Sequence, residues 1–233
     1  MNKKYIIMSD EKQDITQNLS LRYNIIKTDV IEELLPFERR HADIQCLKIN
    51  DTYFVLKEAV ALREKLLALG LNVITTESDI GQKYPSNVLL NAVYMNEMLF
   101  CKADAVDRSV TKYCEENRIK LINVNQGYTK CSTAVLDDCF ITADKGIFKA
   151  MTENGVEGLL IESGDIDLDG VDYGFIGGCC FFDDIGYGHL GFTGNIFKHK
   201  SYEKIERFLC SKRKSFGCFT DKKLYDIGGF VII

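Results

Sequence analysis

Helix-like stretches followed by short apolar runs recur along the chain. The stretch from Val60 to Leu69 has apolar residues at helical spacing, and Gly70 and Gly155 stand where a helix would end in a left-handed residue. This pattern predicts five helix–strand units. Their strands are predicted at 23–29, 71–77, 119–125, 156–162 and 215–221.

Two further strand-like runs, separated by a tight polar or glycine turn, precede four of the five predicted helices. A parallel doubly wound fold would usually place one strand between helices, so the paired runs favour ββαβ units. An ordinary open α/β sheet remains the alternative. The paired runs are predicted at 43–49 with 53–57, 87–95 with 98–102, 132–138 with 139–144, and 173–183 with 189–194.

The two ends of the chain supply the strands that the first unit lacks. That unit has one run, at 4–9, and an unpartnered run remains at 226–233. Pairing them completes a fifth unit and removes two exposed sheet edges. We therefore predict an α/β fold, a five-bladed α/β propeller of ββαβ units closed by the N- and C-terminal strands, in which residues 1–233 form a single domain with a central site.

Composition sets limits on function. The chain has 233 residues, is 46% hydrophobic and carries a formal charge of −5, with basic residues scattered except at Lys212 to Lys214. A nucleic-acid partner usually requires a broad basic surface. No apolar run approaches the roughly 18 residues that cross a membrane, and the apolar stretch near the N-terminus is shorter than that of a signal peptide. We expect a cytoplasmic protein without nucleic-acid or membrane partners, and its oligomeric state stays open.

The cysteines and glycines exclude several kinds of site. Nine cysteines without a CxxC motif argue against a disulfide framework and a structural zinc site, so most should be buried. Gly186 to Gly191 fits GxGxxG, but the motif leads into no helix and is interpreted as a glycine-rich hairpin. We therefore expect no metal and no cofactor.

His41 and Asp43 open the second unit. Side chains two residues apart on a strand point to the same face, so the imidazole and the carboxylate can meet one bound group. The carboxylate would hold a cation while the imidazole exchanges its proton. The alternative is that both side chains cap local backbone groups.

Cys131 is the candidate nucleophile among the cysteines. It opens the fourth unit after a polar loop that contains Gly127. The neighbouring Lys130 and a nearby imidazolium would favour the thiolate, which is the form that attacks carbon. Burial as a small hydrophobic residue is the alternative.

Paired glycines and acidic residues lie near the predicted strand ends. Gly177-Gly178 and Gly228-Gly229 let the backbone approach a ligand, or else serve bulges and bends. Glu162 and Asp165 could hold a cation or form a solvated acidic turn. Asp226 precedes the second glycine pair.

These features together resemble the pentein, or guanidino-group modifying enzyme, superfamily. The resemblance rests on the fivefold unit, the HxD element at 41–43, the EsGD-like run at 162–165, the Gly-Gly of the closing strand and a candidate cysteine. Four segments look like an uncharacterised bacterial family assigned to that fold. They are YPSNVLLNA at 84–92, GYTKCS at 127–132, FTGN at 192–195 and LYDIGG at 224–229.

The resemblance implies roles for individual residues. In catalytic members a cysteine attacks the guanidinium carbon, the histidine of HxD handles protons and carboxylates grip the nitrogens. His41 would be the acid/base, Cys131 the nucleophile and Asp43 a substrate carboxylate. The family's cysteine typically lies near the C-terminus, often soon after a Gly-Gly, whereas Phe230 follows Gly229 here. The further substrate-binding candidates are Lys130, Glu162, Asp165 and Asp226.

Two functions follow as hypotheses. The first is a cysteine hydrolase or amidinotransferase-like enzyme that acts on a small cationic guanidinium or amidine molecule in a central pocket. The second is a non-catalytic pentein-fold protein that binds a small ligand or a macromolecule. The HxD element with KCST favours the first and the missing C-terminal cysteine favours the second, so whether the protein is an enzyme stays open.

Overall fold

The computed structural model describes residues 3–184 and 188–233. The turn of the predicted glycine-rich hairpin includes Gly186 and Tyr187, which lie outside the described residues. The strands on either side of it, which end at Asp183 and begin at His189, pair antiparallel.

The described residues contain helices and short strands in regular alternation. In chain order these are β1 Tyr5–Met8, α1 Gln13–Ser20, β2 Asn24–Lys27, α2 Ala42–Gln45, β3 Cys46–Ile49, β4 Thr52–Val55, α3 Val60–Ala68, β5 Asn72–Thr75, β6 Val93–Met95, β7 Met98–Cys101, α4 Arg108–Glu116, β8 Lys120–Asn123, β9 Thr133–Val135, β10 Cys139–Thr142, α5 Lys145–Glu153, β11 Glu157–Leu160, β12 Ile166–Asp167, β13 Cys180–Asp183, β14 His189–Phe192, α6 Tyr202–Ser211, β15 Ser215–Cys218, β16 Leu224–Tyr225 and β17 Val231–Ile232.

Five three-stranded sheets repeat one arrangement. In each, the middle strand pairs antiparallel with one neighbour and parallel with the other, and a helix connects the parallel pair. The sheets are β17-β1-β2, β3-β4-β5, β6-β7-β8, β9-β10-β11 and β13-β14-β15, beside a small parallel pair, β12-β16. The predicted ββαβ units are therefore present in a mixed α/β fold of small sheets. Over the described ranges these sheets form no closed barrel.

The first sheet joins the two ends of the chain. Strand β1 runs parallel to β2 and antiparallel to β17, with Ile6 opposite Ile232 and Ile7 opposite Val231. The terminal strands therefore pair as the sequence predicts.

Each helix that connects a parallel pair packs through apolar residues one turn apart. Such side chains lie on one face of a helix, so each helix buries that face against its sheet. Phe54, Phe100, Phe140 and Phe192 are also fully buried on successive middle strands. The buried helix pairs are Ile15 and Leu19, Leu62 and Leu66, Val110 and Cys114, Ile147 and Met151, and Ile205 and Leu209.

Several strands are shorter than the sequence predicts, because buried polar and glycine residues take the chain out of the sheets. The segments 87–92 and 226–230 are irregular, and Ile176–Cys179 form a turn of 3₁₀ helix. No helix in the described part of the chain has both the length and the apolar character to span a membrane.

Candidate functional site

Three side chains that the sequence selects meet at one point. Ligating atoms of His41, Asp43 and Cys131 all lie within 4.8 Å of one another, and all three residues are buried. The first two residues precede β3 and the third precedes β9, so two different units supply the cluster. The structure thus joins an imidazole, a carboxylate and a thiol.

The HxD element lies on a helical turn, and the prediction that it begins a strand is wrong. His41 precedes α2, and its carbonyl accepts hydrogen bonds from the backbone N–H groups of Ile44 and Gln45. The Gln45 side-chain amide holds this turn by donating to the carbonyls of Asp29 and Arg39, at 2.8 and 2.9 Å. His41 and Asp43 therefore face each other through a tight turn rather than through strand alternation.

The paired glycines allow site side chains to approach the backbone closely. A Cβ on Gly228 would lie 2.1 Å from His41 Cγ, and a Cβ on Gly178 would lie 1.9 Å from Asp226 Oδ1. Gly228 also has φ of +80°, which favours glycine. The glycines thus make room for His41 and Asp226.

Asp226 is held by the backbone around these glycines. Its Oδ1 accepts a hydrogen bond from Gly228 N and its Oδ2 accepts one from Phe175 N, both at 2.8 Å. The residue is buried, and both donors are uncharged. The carboxylate is oriented by these bonds, but they do not neutralise its charge.

A cavity of about 350 Å³, here called the thiol cavity, lies over Cys131. Its walls are mostly aromatic and aliphatic. The wall residues Tyr128 and Phe175 stack at a centroid distance of 6.0 Å, and Tyr84 stacks on the Tyr128 ring at 6.1 Å. The residues that bring chemistry to this cavity are Glu38, His41, Cys131 and Asp226, together with the exposed Asp172, and its apolar walls include Phe37, Tyr128, Leu168, Val171, Tyr173 and Phe175.

Glu38 is a component of the site that sequence reasoning missed. Its carboxylate accepts hydrogen bonds from Tyr128 Oη at 3.1 Å and from Asn87 Nδ2 at 3.1 Å, and the residue is only 1% exposed. It lies between β2 and α2, in a segment without a repeat pattern. The adjacent Arg39 and Arg40 give that segment the composition of an exposed loop.

The environment of Cys131 keeps the sulfur protonated. Burial first, and then the carboxylates of Asp43 and Asp226, raise the pKa of the Cys131 thiol well above its usual range. A hydrogen bond from Asn91 opposes this shift. The expectation that Lys130 and an imidazolium produce a thiolate is therefore wrong for the unliganded protein, because desolvation outweighs them.

Asp43 carries a buried carboxyl group without a hydrogen-bond partner. Neither of its oxygens makes a hydrogen bond within the described structure. Burial raises the pKa of Asp43 from 3.8 to about 6, although the neighbouring His41 opposes this rise. Folding thus favours the protonated acid, and this contribution to stability is lost as pH rises from 3.8 through 6.

We expect Asp43→Asn to stabilise the unliganded protein at pH 8 and to have little effect at pH 4. The wild type carries the buried Asp43 charge only above the raised pKa, and the substitution removes that charge. Its effect on the free energy of unfolding should therefore differ between pH 4 and pH 8 by on the order of 2 kcal/mol. Urea unfolding at the two pH values measures it.

Asp107→Asn is the matched control for that experiment. Burial raises the pKa of Asp107, but hydrogen bonds from Ser109 and from the N–H groups of Glu77 and Ser78 lower it to about 2. This substitution should destabilise the protein at pH 8. Destabilisation by Asp43→Asn at pH 8 would show that the Asp43 charge is compensated.

The remaining candidates, Lys130, Glu162 and Asp165, do not line the thiol cavity. The Lys130 backbone N–H donates to Asn91 Oδ1, and the residue lines a separate cavity of about 160 Å³ together with Asp43. Glu162 lines another cavity of about 180 Å³ with His199, and Asp165 Oδ2 accepts from Lys200 N at 3.0 Å. The structure therefore does not bring Glu162 and Asp165 into the thiol cavity.

The cluster also contains the atom types that zinc accepts. Metal ligation requires the thiolate of Cys131 and the carboxylate of Asp43, whereas burial favours the protonated form of each. Most cysteines are buried as predicted, with Cys210 and Cys218 exposed.

Solved structures of two kinds of enzyme share this fold. A cysteine-to-serine mutant of DDAH from Pseudomonas aeruginosa, complexed with citrulline, matches over 100% of both chains with a TM-score of 0.58 and 8% identity. Dimethylarginine dimethylaminohydrolase in an adduct with S-methyl-L-thiocitrulline matches over 100% of both chains, with a TM-score of 0.59 and 11% identity. Agmatine deiminase from C. jejuni covers 94% of this chain and 87% of its own, with a TM-score of 0.52 and 8% identity.

These likenesses confirm the resemblance to the pentein superfamily at the level of fold. A family model described as a family of unknown function, DUF6873, matches residues 6–231. No curated protein matches the chain.

Proposed function

This chain belongs to DUF6873, a family of unknown function, and we propose that it is a cysteine-dependent enzyme acting on a small guanidinium or amidinium cation. The reaction is hydrolysis or amidino transfer, and it takes place in the thiol cavity. Cys131 is the nucleophile, His41 is the acid/base, and Glu38 and Asp226 attract the cation. The proposed location is the cytoplasm.

In this proposal the five sheets are the blades of a propeller whose axis passes through the site. Two observations support it: the five sheets repeat one arrangement, and β17 completes the first sheet. Residues that are far apart in sequence, Glu38, Cys131 and Asp226, also converge on one cavity. Such convergence is typical of a closed ring of units.

The pair of buried carboxylates carries the functional proposal. Glu38 and Asp226 both line the thiol cavity, and the hydrogen-bond donors of each are uncharged. A buried charge without a counter-ion is costly, and a cation bound beside it offsets that cost. Aromatic rings such as Tyr128 and Phe175 favour a flat cation on their faces.

The chemistry follows from the position of Cys131 beside His41. A bound cation favours the thiolate, so the thiol proton passes to His41 and Sγ attacks the amidinium carbon. The carbon–nitrogen bond to the leaving amine then breaks, and that amine takes the proton from His41. The product of this step is an amidino group on Sγ.

A second nucleophile completes the reaction. Water, or an amine in a transferase, attacks the same carbon and gives a proton to His41. The carbon–sulfur bond breaks, and the electron pair returns to Sγ as thiolate. With water and a guanidinium substrate, the products are a urea and an amine or ammonia.

A non-catalytic binding protein is the second candidate. Phe230 follows the Gly-Gly at the point where enzymes of the pentein superfamily often carry their cysteine. Its ring packs against Phe181 at a centroid distance of 4.9 Å. Cys131 is also only 2% exposed. Both observations are compatible with a cation-binding cavity in which the thiol does no chemistry.

Ligand binding tests the part of the proposal that both candidates share. Titration calorimetry on Cys131→Ser should show that acetamidinium binds at least about tenfold more tightly than acetamide, its neutral isostere, a difference of about 1.4 kcal/mol. Glu38→Gln in the same background should reduce that preference, because it removes one of the two charges. Equal binding of cation and amide would contradict the proposal.

Turnover separates the two candidates. Incubation of the wild type with guanidinium and amidinium compounds, followed by detection of released amine or ammonia, should give product that Cys131→Ser does not give. Tight cation binding without any product would favour the binding protein.

A further inference from the structure

Both the oxygen and the nitrogen of the Asn91 side-chain amide form hydrogen bonds with Cys131 and with residues beside it. Oδ1 accepts hydrogen bonds from Lys130 N at 2.7 Å and from Cys131 N at 3.2 Å. Nδ2 donates to Asp43 O at 3.1 Å and to Cys131 Sγ at 3.0 Å. The residue is 1% exposed, so water does not compete for these bonds.

The bond to sulfur has a chemical consequence besides its structural one. An N–H donor binds a thiolate more strongly than a thiol, because hydrogen bonds to a charged acceptor are shorter and stronger. Asn91 therefore acts against burial and against the negative carboxylates of Asp43 and Asp226, which all disfavour the thiolate. Within the structure described, it is the side chain that donates a hydrogen bond to Cys131 Sγ.

The segment that carries Asn91 also binds a carboxylate in the wall of the thiol cavity. Asn91 N donates to the carbonyl of Val88 in a turn at the end of the YPSNVLLNA segment. Four residues earlier, Asn87 donates to Glu38. The two asparagines of one short segment therefore contact the nucleophile and a carboxylate of the cavity.

We propose that Asn91 is the positioning residue of the nucleophile: its amide fixes the direction of Cys131 Sγ and stabilises the sulfur anion during attack. The catalytic role of Asn91 in this inference rests on the proposed function. The reactivity of the thiol tests it separately, because alkylation needs no substrate.

The experiment measures the rate of Cys131 alkylation by neutral chloroacetamide from pH 6 to 10 on the full chain, with peptide mass spectrometry. Asn91→Ala should lower the Cys131 rate at pH 8 about tenfold and move the pH profile upward, the effect of losing one hydrogen bond to a charged sulfur. The exposed Cys210 and Cys218 report on the reagent in the same sample. Their rates should not change.

Two further variants separate positioning from a merely structural role. Asn91→Asp keeps the acceptor for the backbone N–H groups but replaces the donor to sulfur with a negative charge, so it should slow Cys131 at least as much as Asn91→Ala. If Asn91→Ala does not fold, this variant carries the test. Asn123→Ala removes a different asparagine hydrogen bond, from Ala103 N to Asn123 Oδ1 at the end of β8, and should leave the Cys131 pH profile in place.

The outcomes distinguish this inference from the proposed function. An unchanged Cys131 profile in both Asn91 variants would overturn the positioning role, even if acetamidinium binds and is turned over. A shifted profile in a protein that binds no cation would support the role of Asn91 and remove the proposed substrate.

Discussion

Replacing Cys131 by serine should abolish the release of amine from guanidinium and amidinium compounds, with a loss in kcat of at least roughly 10³-fold. The hydroxyl is a far weaker nucleophile than sulfur at neutral pH, and His41 lies close enough to exchange a proton but cannot replace the missing attack. Binding of the cation should persist, because the Glu38 and Asp226 carboxylates remain. Steady-state kinetics together with calorimetry measure the two effects.

The matched control is Cys210→Ser, which changes an exposed thiol on α6. It should leave kcat and KM as in the wild type. If Cys131→Ser retained substantial turnover while folding normally, the covalent mechanism would be wrong and another residue would have to activate the second nucleophile.

Gly228→Ala should destabilise the protein by about 2–4 kcal/mol and displace His41, which would remove turnover as well. A methyl group at this position would lie 2.1 Å from His41 Cγ and 2.3 Å from His41 Cα. The clash with Cα involves backbone, so a side-chain rotation does not relieve it. Chemical unfolding and the same kinetic assay measure both effects.

Gly70→Ala measures the cost of backbone strain without a clash, so comparison with Gly228→Ala gives the cost of the clash. Gly70 has φ of +75°, close to the +80° of Gly228, but a Cβ there would meet nothing within 4 Å. It should cost about 1–2 kcal/mol, the penalty of the left-handed conformation alone, and leave turnover unchanged. Equal losses at the two positions would mean that the His41 contact contributes nothing.

The architecture could be read from the sequence where local pattern controls it. Helices such as α3 and α6 bury apolar residues one turn apart, and the strands after them begin close to where their apolar runs begin. The pairing of β1 with β17 was also predictable, because a single run was left over at each end of the chain. These features depend on residues close together in sequence or on simple edge pairing.

The site was predictable only in part, because its geometry depends on contacts that are distant in sequence. His41, Asp43 and Cys131 were identified by residue type, yet the turn that joins the first two is held by Gln45. Glu38 has no local signal, since its burial is created by Asn87 and Tyr128 from other units.

The state of the thiol was mispredicted for the same reason. Sequence places Lys130 beside Cys131, which suggests an activated sulfur. The fold buries Cys131 and places carboxylates near it, and burial first, then Asp43 and Asp226, raise the pKa of the thiol. Only the arrangement in space shows that Asp43 and Asp226 lie near the sulfur.

The most direct measurement compares two electrophiles of nearly equal size, cationic chloroacetamidine and neutral chloroacetamide, at each cysteine of the native protein. If the thiol cavity binds planar cations beside Cys131, the amidine should label Cys131 at least about tenfold faster than the amide does, relative to the rate ratio at exposed Cys210 and Cys218. Glu38→Gln should reduce this preference. The same rate ratio at all three cysteines would contradict the proposed cation site.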